Sequence, residues 1–97
     1  MLYMVNKAPL SSDALRTCLA VAAPGEPVLL YEDGVYAAAA GAATAPWVQQ
    51  ALAERPIYAL RADLEARGIV RRLDGIQVID YNGFVSLVEA HNVVPWL

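Results

Sequence analysis

The sequence predicts a small three-layer α/β sandwich built around a mostly parallel sheet. Three observations lead there. Short apolar runs, Leu2 to Val5, Val28 to Tyr31, Ile57 to Leu60 and Ile76 to Ile79, recur along the chain. They are continuous rather than alternating, the pattern of strands buried on both faces. The segments between them carry apolar residues at helical spacing, and proline and glycine punctuate the joins. Ninety-seven residues make one domain, 1–97, which buries roughly 60–65% of the surface that its unfolded form exposes.

In order, Leu2 to Val5 is a buried strand ending at Asn6-Lys7. Ala8 to Ser12 breaks the chain, and Ser12 is expected to cap a helix over 13–22 on which Ala14, Leu15, Cys18, Leu19 and Ala22 share a face. Pro24-Gly25-Glu26-Pro27 ends that helix, and Val28 to Tyr31 forms the second strand. The alanine-rich stretch Val35 to Ala40 is expected to be helical, as is 47–53. Ile57 to Leu60 is the third strand, 62–67 a short helix stopped by Gly68, and Ile76 to Ile79 the fourth strand. Asp80 or Asn82 caps a last helix over 83–91, with Phe84, Val85, Leu87 and Val88 on one face, and 93–97 is a terminal strand or a docking tail. Alternating strands and helices joined by right-handed crossovers give a flavodoxin-like arrangement. Its sites lie at the carboxyl ends of strands, where Asn6-Lys7, Glu32-Asp33-Gly34 and Asp80-Tyr81-Asn82 are expected to gather.

Composition excludes several functions and favours association. Apolar residues are 58% of the chain and charged residues 18%, a share that so small a domain cannot hide in its own interior, although many of the apolar residues are alanine. A partner is expected. The net charge of −3 and the scattered basic residues argue against direct nucleic-acid binding. The single cysteine, Cys18, excludes an internal disulfide and suits a reducing cytoplasm. The N-terminus lacks the pattern of a signal peptide, and no stretch approaches the roughly 20 apolar residues of a membrane helix. Neither GxGxxG nor GxxxxGK occurs, which weakens a nucleotide- or flavin-binding reading, and no cofactor or metal is expected.

The local sequences go further. Leu29-Leu30-Tyr31-Glu32-Asp33-Gly34-Val35-Tyr36-Ala37-Ala38, Tyr58 to Gly68 with its YAL, DL and ARG pieces, and Ile79-Asp80-Tyr81-Asn82-Gly83-Phe84-Val85-Ser86-Leu87 stand in the order found in the DsrH/TusB family. The opening strand followed by Asn6-Lys7-Ala8-Pro9, with alanine in place of the family's serine, and the tryptophan near the end fit as well. The chain therefore resembles that family over essentially its whole length. The resemblance implies a DsrE-like form of the sandwich and a place in a cytoplasmic heterohexamer with DsrE/TusD-like and DsrF/TusC-like subunits. Such a complex passes persulfide sulfur between cysteines and on to a DsrC/TusE-like carrier. One branch serves oxidative sulfur metabolism and the other thiolation of the transfer-RNA wobble uridine.

Cys18 divides the readings. As a persulfide acceptor it needs thiolate character and partial exposure, whereas a free cysteine on an apolar helix face is more often packing. Its position resembles the cysteine of the oxidative, DsrH-like branch, which the sequence therefore favours. In the family the principal sulfur-carrying cysteine belongs to the DsrE/TusD-type partner. Asp33 and Asp80 suit turns and helix caps, and His91 suits a helix C-terminus. Trp96, Tyr36 and Trp47 are the candidate contact residues, since interfaces are enriched in Trp and Tyr.

Overall fold

The computed structural model describes residues 1–96, and the fold is the predicted three-layer sandwich. Its centre is a five-stranded sheet of β1 (Leu2–Val5), β2 (Val28–Leu30), β3 (Ile57–Leu60), β4 (Gln77–Ile79) and β5 (Val93–Trp96), in the spatial order β4-β3-β2-β1-β5. Every pairing is parallel. The terminal segment is thus a strand, with Leu97 outside the described residues.

Helices α1 (Ala14–Val21), α2 (Ala45–Leu52) and α3 (Arg61–Ala66), with a 3-10 helix over Glu32–Ala38, connect β1 through β4. Those strands step across the sheet in one direction, so right-handed crossovers put these connections on one face. The core cluster agrees. It joins Tyr3, Val5, Val28, Leu30, Ile57 and Ala59 to helix residues Leu15, Cys18, Val48 and Leu64. Helix α4 (Tyr81–Ala90) runs from β4 back past three strands to β5, so the same rule places it on the opposite face. Leu2 and Leu29 are fully buried yet outside that cluster, as residues beneath α4 should be.

Three local expectations change. The stretch expected as a helix over 35–40 is a 3-10 helix that starts at Glu32 and stops at Ala38. Its buried residues are Gly34, Val35, Ala37 and Ala38, a three-residue repeat that matches three residues per turn. Small side chains permit that tight packing. The last helix starts at Tyr81, because Asp80 is the cap and its Oδ1 accepts the Gly83 N–H at 2.8 Å. At α1 the capping position is Asp13, while the Ser12 hydroxyl accepts the Ala14 N–H at 3.1 Å.

The α1–β2 turn is tied by one carboxylate. Glu26 accepts the Ala23 N–H at 2.7 Å, the Tyr3 hydroxyl at 3.2 Å and the N-terminal ammonium at 3.4 Å. The Ala23 bond, and then the other donors, hold its carboxyl below its ordinary value against a smaller opposing effect of burial. A depressed carboxyl stabilises the fold above its unfolded pKa, and that contribution is lost as pH falls through the folded value. Glu26→Gln is accordingly expected to reduce the acid sensitivity of the melting temperature below about pH 4.5, the ordinary Glu value. Unchanged acid titration curves would refute that role.

Candidate functional site

The carboxyl ends of β1 and β2 come together through backbone contact. The Tyr31 N–H donates to the Val5 carbonyl at 3.1 Å, and Gly34 lies so close that a Cβ there would stand 2.2 Å from the same oxygen. Glu32, between them, adopts a left-handed conformation with φ of 47°, uncommon for any residue but glycine. Two side chains hold it: its N–H donates to Asp63 Oδ2 at 2.7 Å, and its Oε1 accepts from Asn6 Nδ2 at 3.4 Å. Arg67 closes the group by donating from Nε to Asp33 Oδ1 at 2.9 Å and from Nη1 to the Asp63 carbonyl at 3.2 Å. The hydrogen bond to Asp33, with the charges of Asp33 and Asp63, raises the Arg67 pKa above its ordinary value.

The expected gathering is therefore partly met. Asn6 and Glu32-Asp33-Gly34 meet, whereas Asp80 to Asn82 follow an edge strand separated from β2 by β3, and Asp80 is occupied in capping α4. Asp63 and Arg67 complete the cluster, and sequence reasoning did not single them out. Their i,i+4 spacing on one helix was the available signal. The cluster is acidic and hydrogen-bonded, and it contains no thiol.

Cys18 lies elsewhere. It sits on α1 facing the sheet with 0% of its surface exposed, within the cluster formed by Leu15, Tyr3 and Val28. Burial pushes its thiol up to about 11, the nearby Arg55 charge opposing and Glu26 adding to the rise. Arg55 is itself buried and donates to the Ala22 and Ala23 carbonyls at 3.3 and 3.2 Å, closing the end of α1. A thiol of this kind is inert in its resting position, because the nucleophile is the thiolate. His91 is the residue that follows α4.

The three candidate aromatic anchors have different surroundings. Trp96 packs edge-on against Tyr3, with ring centroids 5.9 Å apart, and its Nε1 donates to the Thr17 hydroxyl at 2.9 Å. It fastens β5 to α1. Trp47 is half-buried and packs against the core, beside a groove shared with Arg16, Leu19, Gln50 and Glu54. Tyr36 is exposed and stands at the edge of an apolar cleft of about 470 Å³. Among the described residues no helix is long and apolar enough to cross a membrane.

A family model described as "DsrH like protein" matches residues 7–94. The TusB protein of Serratia proteamaculans is 43% identical over 94 residues, covering 94% of each chain. That of Photorhabdus laumondii is 36% identical over 98 residues, covering 99% of this chain and all of the relative. Among solved structures, the ychN protein of E. coli superposes with a TM-score of 0.79 at 18% identity over 97% of each chain, a likeness of fold.

Proposed function

This chain belongs to the DsrH/TusB family, and from that premise we propose that it is a TusB-like subunit of a sulfur relay whose own contribution is assembly rather than sulfur chemistry. Its partners in this reading are TusD/DsrE-like and TusC/DsrF-like subunits in a cytoplasmic heterohexamer, with a TusE/DsrC-like carrier receiving the sulfur. The relay serves thiolation of the transfer-RNA wobble uridine. Cys18 had favoured the oxidative branch, but near full-length similarity to TusB proteins backs the transfer-RNA branch better.

The observation that carries the assembly role is the complete burial of Cys18. In each transfer the terminal sulfur of a donor cysteine persulfide bonds to an acceptor thiolate. The donor's S–S bond breaks, and the donor leaves as thiolate. An acceptor must reach the donor in its charged form, and a buried thiol with a raised pKa meets neither condition. Passing sulfur through Cys18 would require α1 to open.

The test is intact-mass measurement of the assembled complex after exposure to a persulfide donor. Sulfur is expected on a partner subunit and not on this chain, and a complex containing Cys18→Ser is expected to transfer at the wild-type rate. A gain of one sulfur on this chain that vanishes in Cys18→Ser would overturn the assembly reading and make Cys18 a relay station. Complementation of a strain lacking its own TusB, read as the thiolated fraction of the wobble uridine, checks the branch. No recovery of thiolation by the assembled complex would count against it.

A further inference from the structure

We propose that the groove lined by Arg71 and Arg72 binds a phosphate-class oxyanion, at a site apart from the acidic cluster and from Cys18. The groove lies between the segment at Ala40, the start of α2 at Ala45 and Gln49, and the stretch from Arg71 to Asp74. It is about 480 Å³ in volume. Two backbone bonds fix that stretch against the end of the 3-10 helix. The Ala40 N–H donates to the Arg71 carbonyl at 3.0 Å, and the Leu73 N–H donates to the Ala38 carbonyl at 2.9 Å. They anchor the only adjacent pair of basic residues in the chain.

Arg72 carries the argument. Three arginines are withdrawn from solvent, Arg55 buried and Arg67 and Arg72 half-buried. Arg55 donates to the Ala22 and Ala23 carbonyls and pairs with Glu54 at 3.5 Å. Arg67 pairs with Asp33 and Asp63. Arg72 has neither kind of partner: its guanidinium takes part in no ion pair or hydrogen bond among the described residues. Its Nε is enclosed without a partner, whereas its terminal nitrogens are not among the enclosed atoms, so these are what the groove presents. A guanidinium partly withdrawn from water and lacking an acceptor costs stability, and an arriving anion offsets that cost.

The charges around the groove select the ligand. Arg71 is exposed and adds a second guanidinium without an ion pair among the described residues. The first turn of α2 holds no acidic residue. Asp74 is the one carboxylate on the lining, and it is not within ion-pair distance of either arginine. Two guanidiniums suit a doubly charged anion, and their forked donors match phosphate oxygens. The Gln49 amide adds a neutral donor. A polynucleotide is the poorer match, because two arginines on a chain of net charge −3 do not neutralise a run of phosphates. The occupant is free phosphate or the phosphate group of a small ester.

The experiment is calorimetric titration of the full chain in phosphate-free buffer, with inorganic phosphate, phenyl phosphate and acetate as the probes. Inorganic phosphate is expected to bind with a dissociation constant of about 1 mM or below. Arg72→Met is expected to weaken it about tenfold or more, the effect of losing hydrogen bonds from a charged group. Asp74→Asn should tighten it by removing the competing carboxylate, and Arg61→Gln, exposed and outside the groove, should bind like the wild type. Because methionine keeps the apolar stem, Arg72→Met is expected to melt at or above the wild-type temperature without phosphate. It should also lose the rise in melting temperature that phosphate gives the wild type. A lower melting temperature of Arg72→Met without phosphate overturns the proposal, since the guanidinium then serves the fold. Absence of saturable phosphate binding, or binding that survives Arg72→Met, overturns it as well. Acetate binding as tightly as phosphate overturns the choice of oxyanion. Phenyl phosphate binding more tightly than phosphate identifies an ester that uses the apolar walls, and equal or weaker binding identifies free phosphate.

Discussion

Gly34→Ala is expected to lower the melting temperature by about 12–24 °C, from a destabilisation of about 3 kcal/mol at the shift per kcal/mol typical of a domain this size. A Cβ at position 34 would stand 2.2 Å from the Val5 carbonyl oxygen and 3.0 Å from its carbon. Those atoms belong to the backbone of a central strand, so no side chain can swing aside. Relief must come from moving the 3-10 helix off the end of β1. That movement strains the hydrogen bond from the Tyr31 N–H to the same carbonyl, worth about 1 kcal/mol when formed. Gly41 is the control. A Cβ there meets nothing within 4 Å, so Gly41→Ala should melt at or slightly above the wild-type temperature. Thermal unfolding of both variants measures the contrast, and equal melting temperatures would show that the close approach at Gly34 is not a constraint.

The Cys18 thiol of the folded chain is expected to react with a disulfide reagent near neutral pH at least about a hundredfold more slowly than the same thiol in the urea-unfolded chain. A thiol pushed from 9.0 to about 11 loses about two powers of ten in thiolate at neutral pH, before its complete burial excludes the reagent. Comparable rates in the folded and unfolded chains would overturn this account and revive Cys18 as a relay thiol. The same shift has a consequence for stability. The folded state retains the thiol proton at a pH where the unfolded chain has released it, so stability falls as pH rises from about 9 to about 11. Two pKa units correspond to about 2–3 kcal/mol over that interval. Burial also raises the pKa of Tyr3 and Tyr31, which adds a slope of the same sign at higher pH. The contribution of Cys18 is therefore the difference between the alkaline slopes of the wild type and Cys18→Ala.

These two effects mark different depths of legibility. Cys18 was visible in the sequence as a residue on the apolar face of a helix, beside Leu15, Leu19 and Ala22, and helical periodicity alone aimed it at the core. Gly34 looked like an ordinary turn residue. Its importance comes from the approach of two segments that are distant in the chain, and no local pattern encodes that distance. The acidic cluster behaves likewise. Glu32 and Asp33 were noticed for their position after a strand, but Asp63 and Arg67 reach them only because β3 pairs with β2 and delivers α3 alongside. The expected company of Asp80 failed for the same kind of reason, since strand order, which the sequence does not state, put β4 at an edge.

By itself the sequence determined the alternation of strands and helices, the family, and the buried face of α1. The alternation and the buried face follow from side-chain polarity, continuous along the buried strands and at a period of 3.6 residues along the helix, and the family from the local motifs. Tertiary structure alone decided that the segment after β2 would wind as a 3-10 helix, that Glu32 would be held left-handed by a carboxylate 31 residues away, and that Tyr36 would stand beside an uncharged cleft. Each depends on how closely the ends of β1 and β2 approach one another. Packing sets that distance across the sheet, where residues far apart in sequence compete for the same few ångströms.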